Sequence, residues 1–320
     1  VEPGATVEYS IDGGTSWSGS FAAAEGINTV QVRQTDVAGN VGAASAAFTF
    51  TLDTTDPAAP GVALTTDTGS SSSDRITSDG ALTLSDLEPG ATVEYSIDNG
   101  TTWGETFTAS EGGNSVQVRQ TDVAGNVGAA SAAFTFTLDT TDPAAPGVAL
   151  TTDTGSSSSD RITSDGALTL SDLEPGATVE YSIDNGTTWG ETFTASEGGN
   201  SVQVRQTDVA GNVGAASAAF TFTLDTTDPA APGVALTTDT GTSSADRITS
   251  DGALTLNDVE PGATVEYSID GGTSWSGSFA AAEGSNSVQV RQTDVAGNVG
   301  AASAAFTFTL DTTDPAAPGV

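Results

Sequence analysis

"SVQVRQTDVAGNVGAASAAFTFTLDTTDPAAPG", residues 115–147, contains two short alternating runs, a loop between them and a proline-bearing linker after them. "SVQVRQT" (115–121) and "AAFTFTL" (132–138) read as strands, with Phe134, Phe136 and Leu138 on one face of a period-2 pattern. The linker "LDTTDPAAP" occurs again and again, its first aspartate falling at Asp53, Asp139, Asp225 and Asp311, 86 residues apart each time. Such self-similarity at a fixed period signals a repeat architecture.

Working outward through one period gives the remaining strands. "GVALTT" (61–66) is a first strand and "ALTLSDL" (81–87) a second, separated by the polar stretch "DTGSSSSDRITSDG" (67–80). After the turn "EPGA" comes "TVEYSID" (92–98), then Asn99-Gly100, a strong hairpin signal. "TTW" (101–103) and "ETFTAS" (105–110) are expected to be two further short strands before the turn "EGGN". About seven strands, turn signals every ~8–12 residues and no helical pattern predict an all-β, immunoglobulin-like β-sandwich. Trp103 is expected in the core, and Glu94 is expected to pair with Arg119 across two neighbouring strands.

Residues 53–138 and 139–224 are identical, and 225–310 differs only in loops and one hairpin. The expected organisation is therefore a partial module at 1–52 lacking its first strands, whole modules at 53–138, 139–224 and 225–310, and at 311–320 a linker and the start of a further module. The chain opens on "VEPGATVEYS", without Met or a signal peptide, and so reads as a fragment.

Composition narrows the function classes. There are 42 acidic residues against 7 basic ones, all arginine, and no His, Cys or Met, giving a net charge of −35. One period, Asp53 to Leu138, holds eight Asp, four Glu and two Arg, a net of −10, so the excess is spread evenly. That field repels nucleic acid and anionic membranes and attracts cations. Disulfides, thiolate and imidazole metal sites and His-dependent triads are excluded. No apolar run approaches the ~18 residues of a membrane span. No pair of acids sits in an apolar pocket pattern, and tandem copies suit an active site poorly, so no enzymatic activity is expected.

The sandwich topology gathers carboxylates at the module junctions. Loops "EPGA" and "QTDVAGN" belong at the pole where the linker enters a module. "TDTGSSSSDRITSDG", "DNG" and "SEGGN" belong where it leaves. One junction then collects Asp139 and Asp142 from the linker and Asp208 and Asn212 from the next loop, with Asp98 and Glu111 nearby. Like charges ~4 Å apart repel by ~4 kcal/mol at an effective dielectric of 20, so three or more either splay or share a cation. An oxygen-only ligand set on several loops selects a hard cation, calcium rather than magnesium. The preceding first long loop either adds Asp67, Asp74 and Asp79 to that junction or closes a site of its own with them, repeated as Asp153, Asp160 and Asp165. The competing reading is a solvated acidic surface that keeps the chain soluble.

Taken together, "LDTTDPAAP", "EYSIDNGTTW" and "VRQTDVAGN" resemble the tandem bacterial immunoglobulin-like extender repeats of giant RTX-type, biofilm-associated surface adhesins. The resemblance covers the whole chain. It implies a secreted, cell-surface rod of repeats, braced by Ca2+ between modules, that projects a ligand-binding tip for adhesion or biofilm formation. Transferred position by position, it implies metal ligands at Asp53, Asp56, Asp139, Asp142, Asp225 and Asp228 in the linkers. The matching loops supply Asp122 with Asn126, Asp208 with Asn212, and Asp294 with Asn298. Asp311 and Asp314 have no partner loop and should lack a complete site. The partners implied are neighbouring repeats of a monomeric chain. The alternative is a carbohydrate- or surface-binding module that is itself adhesive.

Overall fold

A computed structural model describes residues 1–317 and 319; the start of a further module expected at 311–320 therefore falls partly outside the described residues. Every regular element in it is a β-strand. The chain divides into two compact units, Val1–Thr141 with Val209–Gly211, and Asp142–Asp208 with Asn212–Val320.

The first unit opens with a three-stranded sheet, β1 (Thr6–Ser10), β2 (Gly26–Thr35) and β3 (Phe48–Leu52), in the order β1-β2-β3. A full repeat follows: β4 (Gly61–Leu64), β5 (Ile76–Thr77), β6 (Leu82–Ser85), β7 (Thr92–Ser96), β8 (Gly112–Thr121) and β9 (Phe134–Leu138). The same six strands recur from Gly147–Leu150 to Phe220–Leu224 and from Gly233–Leu236 to Phe306–Leu310. Each repeat is a sandwich of a two-stranded sheet, β4-β6, and a four-stranded sheet, β5-β9-β8-β7. With the bridge that Gly104 makes to Tyr95, this gives about seven strand-like elements per repeat.

The register follows from the alternation. The ten residues of β8 serve two partners: Gly112–Val116 pairs with β9 and Gln117–Thr121 with β7. The strand therefore begins three residues before the position expected from the sequence. Val116 and Val118 are fully buried and Phe136 is 4% exposed, forming the centre of the core. Gln120 is buried among them, and a buried amide must be satisfied. Its Nε2 donates to the carbonyls of Ala58 (2.8 Å) and Asp86 (3.0 Å), and its Oε1 accepts from the Glu88 N–H (2.9 Å). One side chain thus ties the incoming linker to the loop between β6 and β7.

Three sequence expectations are corrected. Residues 101–103 and 105–110 are not strands. Asp98 collects the backbone N–H groups of Thr101 and Thr102 and the Thr102 hydroxyl, closing a compact turn instead of a ladder. Beyond Gly104, the Asn114 side chain exchanges hydrogen bonds with the Ser110 backbone and holds the segment as coil. Phe107 still packs beside Tyr95 and Phe136, with ring centroids at 6.2 and 6.4 Å. Next, β5 arises inside the polar stretch, pairing parallel with the end of β9. Lastly, Trp103 is not core. It is half-buried, donates from Nε1 to the Gly100 carbonyl at 3.1 Å and lies 4.3 Å beneath the Arg119 guanidinium. The expected Glu94–Arg119 pair does form, at 2.8 Å.

Candidate functional site

The linker that leaves a repeat is held first by that repeat itself. The turn before β8 presents one glutamate per repeat, and its carboxylate clasps two linker threonines. In the second unit, Glu197 accepts from the Thr226 N–H at 3.2 Å and from the hydroxyls of Thr226 (2.9 Å) and Thr227 (3.2 Å). Glu25 holds Thr54 and Thr55 in the same way, Glu111 holds Thr140 and Thr141, and Glu283 holds Thr312 and Thr313. The Thr226 hydroxyl, above all, keeps the Glu197 carboxyl below its usual range, and a hydrogen bond with the Asp225 side chain adds to this. Glu25 and Asp53 stand in the same relation, after the leading contribution of Thr54.

Linker aspartates divide by position. The first of each pair also bonds along the chain: Asp53 Oδ1 accepts from the Thr55 N–H at 3.1 Å, and Asp225 Oδ1 from the Thr227 N–H at 3.1 Å. Asp139 accepts from Thr141 in the same way. The second members, Asp56, Asp142 and Asp228, are exposed, while the prolines that follow them are buried.

The loop after β8 approaches the linker through its asparagine. Asn298 Nδ2 donates to the Asp225 carbonyl and to Asp294 Oδ2, both at 2.8 Å. Asn126 makes the same two bonds, to the Asp53 carbonyl at 3.1 Å and to Asp122 Oδ2 at 2.8 Å. Asn212 donates to Asp208 Oδ2 at 2.8 Å. Asp122 is buried, and its Oδ1 accepts from the N–H groups of Ala124, Gly125 and Asn126 at 2.7–2.9 Å. The Asn126 side chain first, then these N–H groups, hold its carboxyl below the usual range. An oxygen with three N–H partners has little capacity left for a metal.

The first long loop uses its acids locally. Asp74 Oδ1 accepts from the Ile76 N–H and Asp79 Oδ1 from the Ala81 N–H, each at 3.0 Å. Asp67 Oδ2 accepts from the Arg75 N–H at 3.0 Å, whereas its Oδ1 is buried with no hydrogen-bond partner. Asp160 and Asp165 repeat the local bonds, and Asp153 and Asp239 share the unpartnered Oδ1. Among the described residues, no three carboxylates gather into a metal cage. What comes together is a linker aspartate, the glutamate before β8 and the asparagine of the next loop. That glutamate is the residue sequence reasoning undervalued; its signal is the invariant "EG" that opens each long strand.

No protein-family model matches the chain. Exoglucanase B of Cellulomonas fimi is 34% identical over 311 residues, covering 87% of this chain and 28% of that protein. The chain thus spans little more than a quarter of the relative it matches. Among solved structures, one of a 1.5-MDa bacterial ice-binding adhesin is 20% identical, covering 70% of this chain and 87% of its own, with a TM-score of 0.26. A protocadherin gammaB7 structure of domains EC3–6 is 15% identical over 89% of this chain and 82% of its own, with a TM-score of 0.27. The chain is a tandem array of immunoglobulin-like sandwiches, and no helix among its described residues is long and apolar enough to cross a membrane.

Proposed function

We propose that this chain is an extender segment of a bacterial cell-surface adhesin, a row of repeats outside the cell whose junctions are stiffened by calcium and whose purpose is to hold a binding tip at a distance. The observation that carries this reading is the linker clasp, made alike by Glu25, Glu111, Glu197 and Glu283. A segment that fixes the exit of every repeat with the same carboxylate is built to transmit direction along a chain. The resemblance of its motifs to adhesin extenders supports the same reading.

The residues at the linker head suit a hard cation. Glu197 and the neighbouring Asp225 offer carboxylate oxygens, with oxygen as the sole donor type. Calcium bound there would supply positive charge beside the two carboxylates. The chain's own groups do the positioning: Thr226 and Thr227 orient Glu197, and Asn298 holds the Asp225 carbonyl against the next repeat. Affinity in the extracellular range of ~10⁻⁴–10⁻³ M is expected.

Small-angle scattering of the chain in EDTA, in millimolar calcium and in magnesium tests the reading. A calcium-specific increase in maximum dimension supports it. An unchanged profile means that the acids serve solubility, and the extender reading loses its calcium brace.

One observation favours a second reading, carbohydrate binding. An open groove of about 260 Å³ is lined by Tyr95, Ile97, Thr102, Trp103 and Phe107, with Ile97 73% exposed. Half-exposed aromatics beside hydroxyls are what a sugar face requires, and the curated relative is named an exoglucanase. Glycan-array binding that is lost in Trp103→Ala would move this reading to first place.

A further inference from the structure

Within the second unit, the loop after the first strand of one repeat meets the tip of the loop after the long strand of the next. Thr154 Oγ1 donates to the Ala296 carbonyl at 2.6 Å, and the Ser156 N–H donates to the Val295 carbonyl at 3.2 Å. Between them Gly155 has φ +91°, and a Cβ there would run into the Val295 carbonyl oxygen. Gly297, at φ +97°, faces it so closely that its own Cβ would stand 3.0 Å from the Gly155 nitrogen. Two left-handed glycines therefore allow two backbones to touch. Ala296 is fully buried by the contact. Inside the first unit, Thr68 meets Ala210 in the same way, and Ala210 is also fully buried.

The last repeat carries the same loop without that contact. Thr240 keeps its internal bonds, accepting from the Ser250 N–H at 2.7 Å. Gly241 keeps φ +98°, and nothing lies within 4 Å of where its Cβ would be. Its neighbours differ from those of Gly155, "TGTSSAD" against "TGSSSSD", but the Thr-Gly pair is common to both. The loop is thus pre-shaped before it meets a partner.

We propose that the Thr154–Ser156 loop is a receptor for the Val295–Gly297 tip of the following repeat, a latch that holds the junction with or without a cation. It reads backbone carbonyls and a glycine, so any repeat presenting the "VAG" tip fits it. No ionisable side chain takes part, so neither chelator nor salt removes it. It goes beyond the calcium brace and does not depend on it.

The test uses the full chain, which has no cysteine, with spin labels at Thr221→Cys and Thr307→Cys, both exposed and both in the second unit. Distance distributions are measured in EDTA. Gly241→Ala carries the same left-handed strain without a neighbour to strike and is the matched control for Gly155→Ala. The expected result is a narrow distribution for the parent and for Gly241→Ala, and at least a doubling of width for Gly155→Ala. Thr154→Val against Thr240→Val repeats the comparison through loss of the donor, leaving the glycine untouched. A parent distribution in EDTA as broad as that of Gly155→Ala overturns the latch. So does a Gly155→Ala distribution as narrow as that of Gly241→Ala. Adding calcium to Gly155→Ala then reads the linker site by itself, so the two proposals fail separately.

Discussion

Residues 1–52 and 259–310 are the same sequence apart from Ile27 against Ser285 and Thr29 against Ser287, yet they sit in different surroundings. The later copy is accompanied by the strands Gly233–Leu236, Ile248–Thr249 and Leu254–Asn257 of its own repeat; the described residues include no such strands for the earlier one. Val288 is fully buried where Val30 is 8% exposed, and Phe306 is half-buried where Phe48 is 64% exposed. Ala296 is buried under a neighbouring loop, and Ala38 is exposed. By contrast, the three-strand ladder, the Asp12 and Asp270 turns and the glutamate clasps are the same in both. Local hydrogen bonding is thus written into 52 residues, while burial and junction contacts need the rest.

The largest difference should come from the buried glutamine. Gln292 is fully buried and bonds the carbonyls of Ala230 and Asp258 and the Glu260 N–H. Leucine there leaves three polar groups without partners, at roughly 1–3 kcal/mol each before relaxation or water entry. We expect Gln292→Leu to destabilise the last repeat by about 3 kcal/mol or more. Gln34 accepts from the Glu2 N–H and is half-exposed, so Gln34→Leu should cost about 1 kcal/mol or less. Each repeat has one tryptophan, so chains retaining only Trp275 or only Trp17 allow the two denaturation curves to be read separately. Equal losses would mean that the glutamine's partners do not matter.

A smaller contrast belongs to the junction asparagine. Asn298→Ala removes the bond to the Asp225 carbonyl and one to the Asp294 carboxylate, about 1.5–3 kcal/mol for the charged bond. Asn40→Ala removes only the exposed bond to Asp36, at 2.7 Å, and should cost less than half as much. Amide hydrogen exchange at Ala38–Asn40 and Ala296–Asn298 would measure both losses in one sample.

Acid should act on both copies alike. The hydroxyl and N–H of Ser16 hold the Asp12 carboxyl well below the usual carboxylate range, at about 2, and those of Thr102 hold Asp98 likewise at about 2. Ser274 drives Asp270 down in the same direction. A carboxylate with a folded pKa below its unfolded one stabilises the fold above the unfolded value, and this is lost as pH falls through the folded value. The turns should therefore loosen between pH 4 and 2, in truncated and whole repeats alike. Proton NMR of the Thr15 and Thr273 amides across that window gives the comparison. Loosening of Thr273 alone would show that the turn depends on the missing strands.

Legibility in the sequence followed the same local and non-local division. Alternation in "AAFTFTL" and the Asn99-Gly100 turn gave the strands and the sandwich, because both signals lie within a few residues of the structure they specify. The pair Glu94–Arg119 was readable from register. Ile76–Thr77 was missed because a two-residue strand has no period to detect. The expected strand at 105–110 failed because the Asn114 side chain offers that backbone a competing partner. For the candidate site, the linker and loop aspartates were visible as recurring acids, but their occupancy by neighbouring N–H groups was not. Nor was the glutamate clasp, since Thr226 and Glu197 lie 29 residues apart and meet only once the strands Gly198–Thr207 and Phe220–Leu224 are paired.

The smallest effect expected is also the one that most sharply separates local from non-local structure. Arg33 pairs with Glu8 at 2.8 Å and stacks at 4.3 Å on Trp17; Arg291 pairs with Glu266 and stacks on Trp275 at the same distances. The four charged side chains are 26–33% exposed, so solvent screens both pairs to a similar degree. A double-mutant cycle with Glu→Gln and Arg→Gln should return ~0.2–1 kcal/mol in either repeat. Because one hairpin, β1 to β2 with the turn between them, supplies every partner of Arg33, and the matching hairpin at 264–293 every partner of Arg291, the two coupling energies should agree within ~0.5 kcal/mol, even though the repeats differ in core burial. A coupling confined to the Glu266–Arg291 pair would mean that the missing strands stiffen the sheet enough to set the strength of a surface contact, and the ladder would no longer count as an independent local unit.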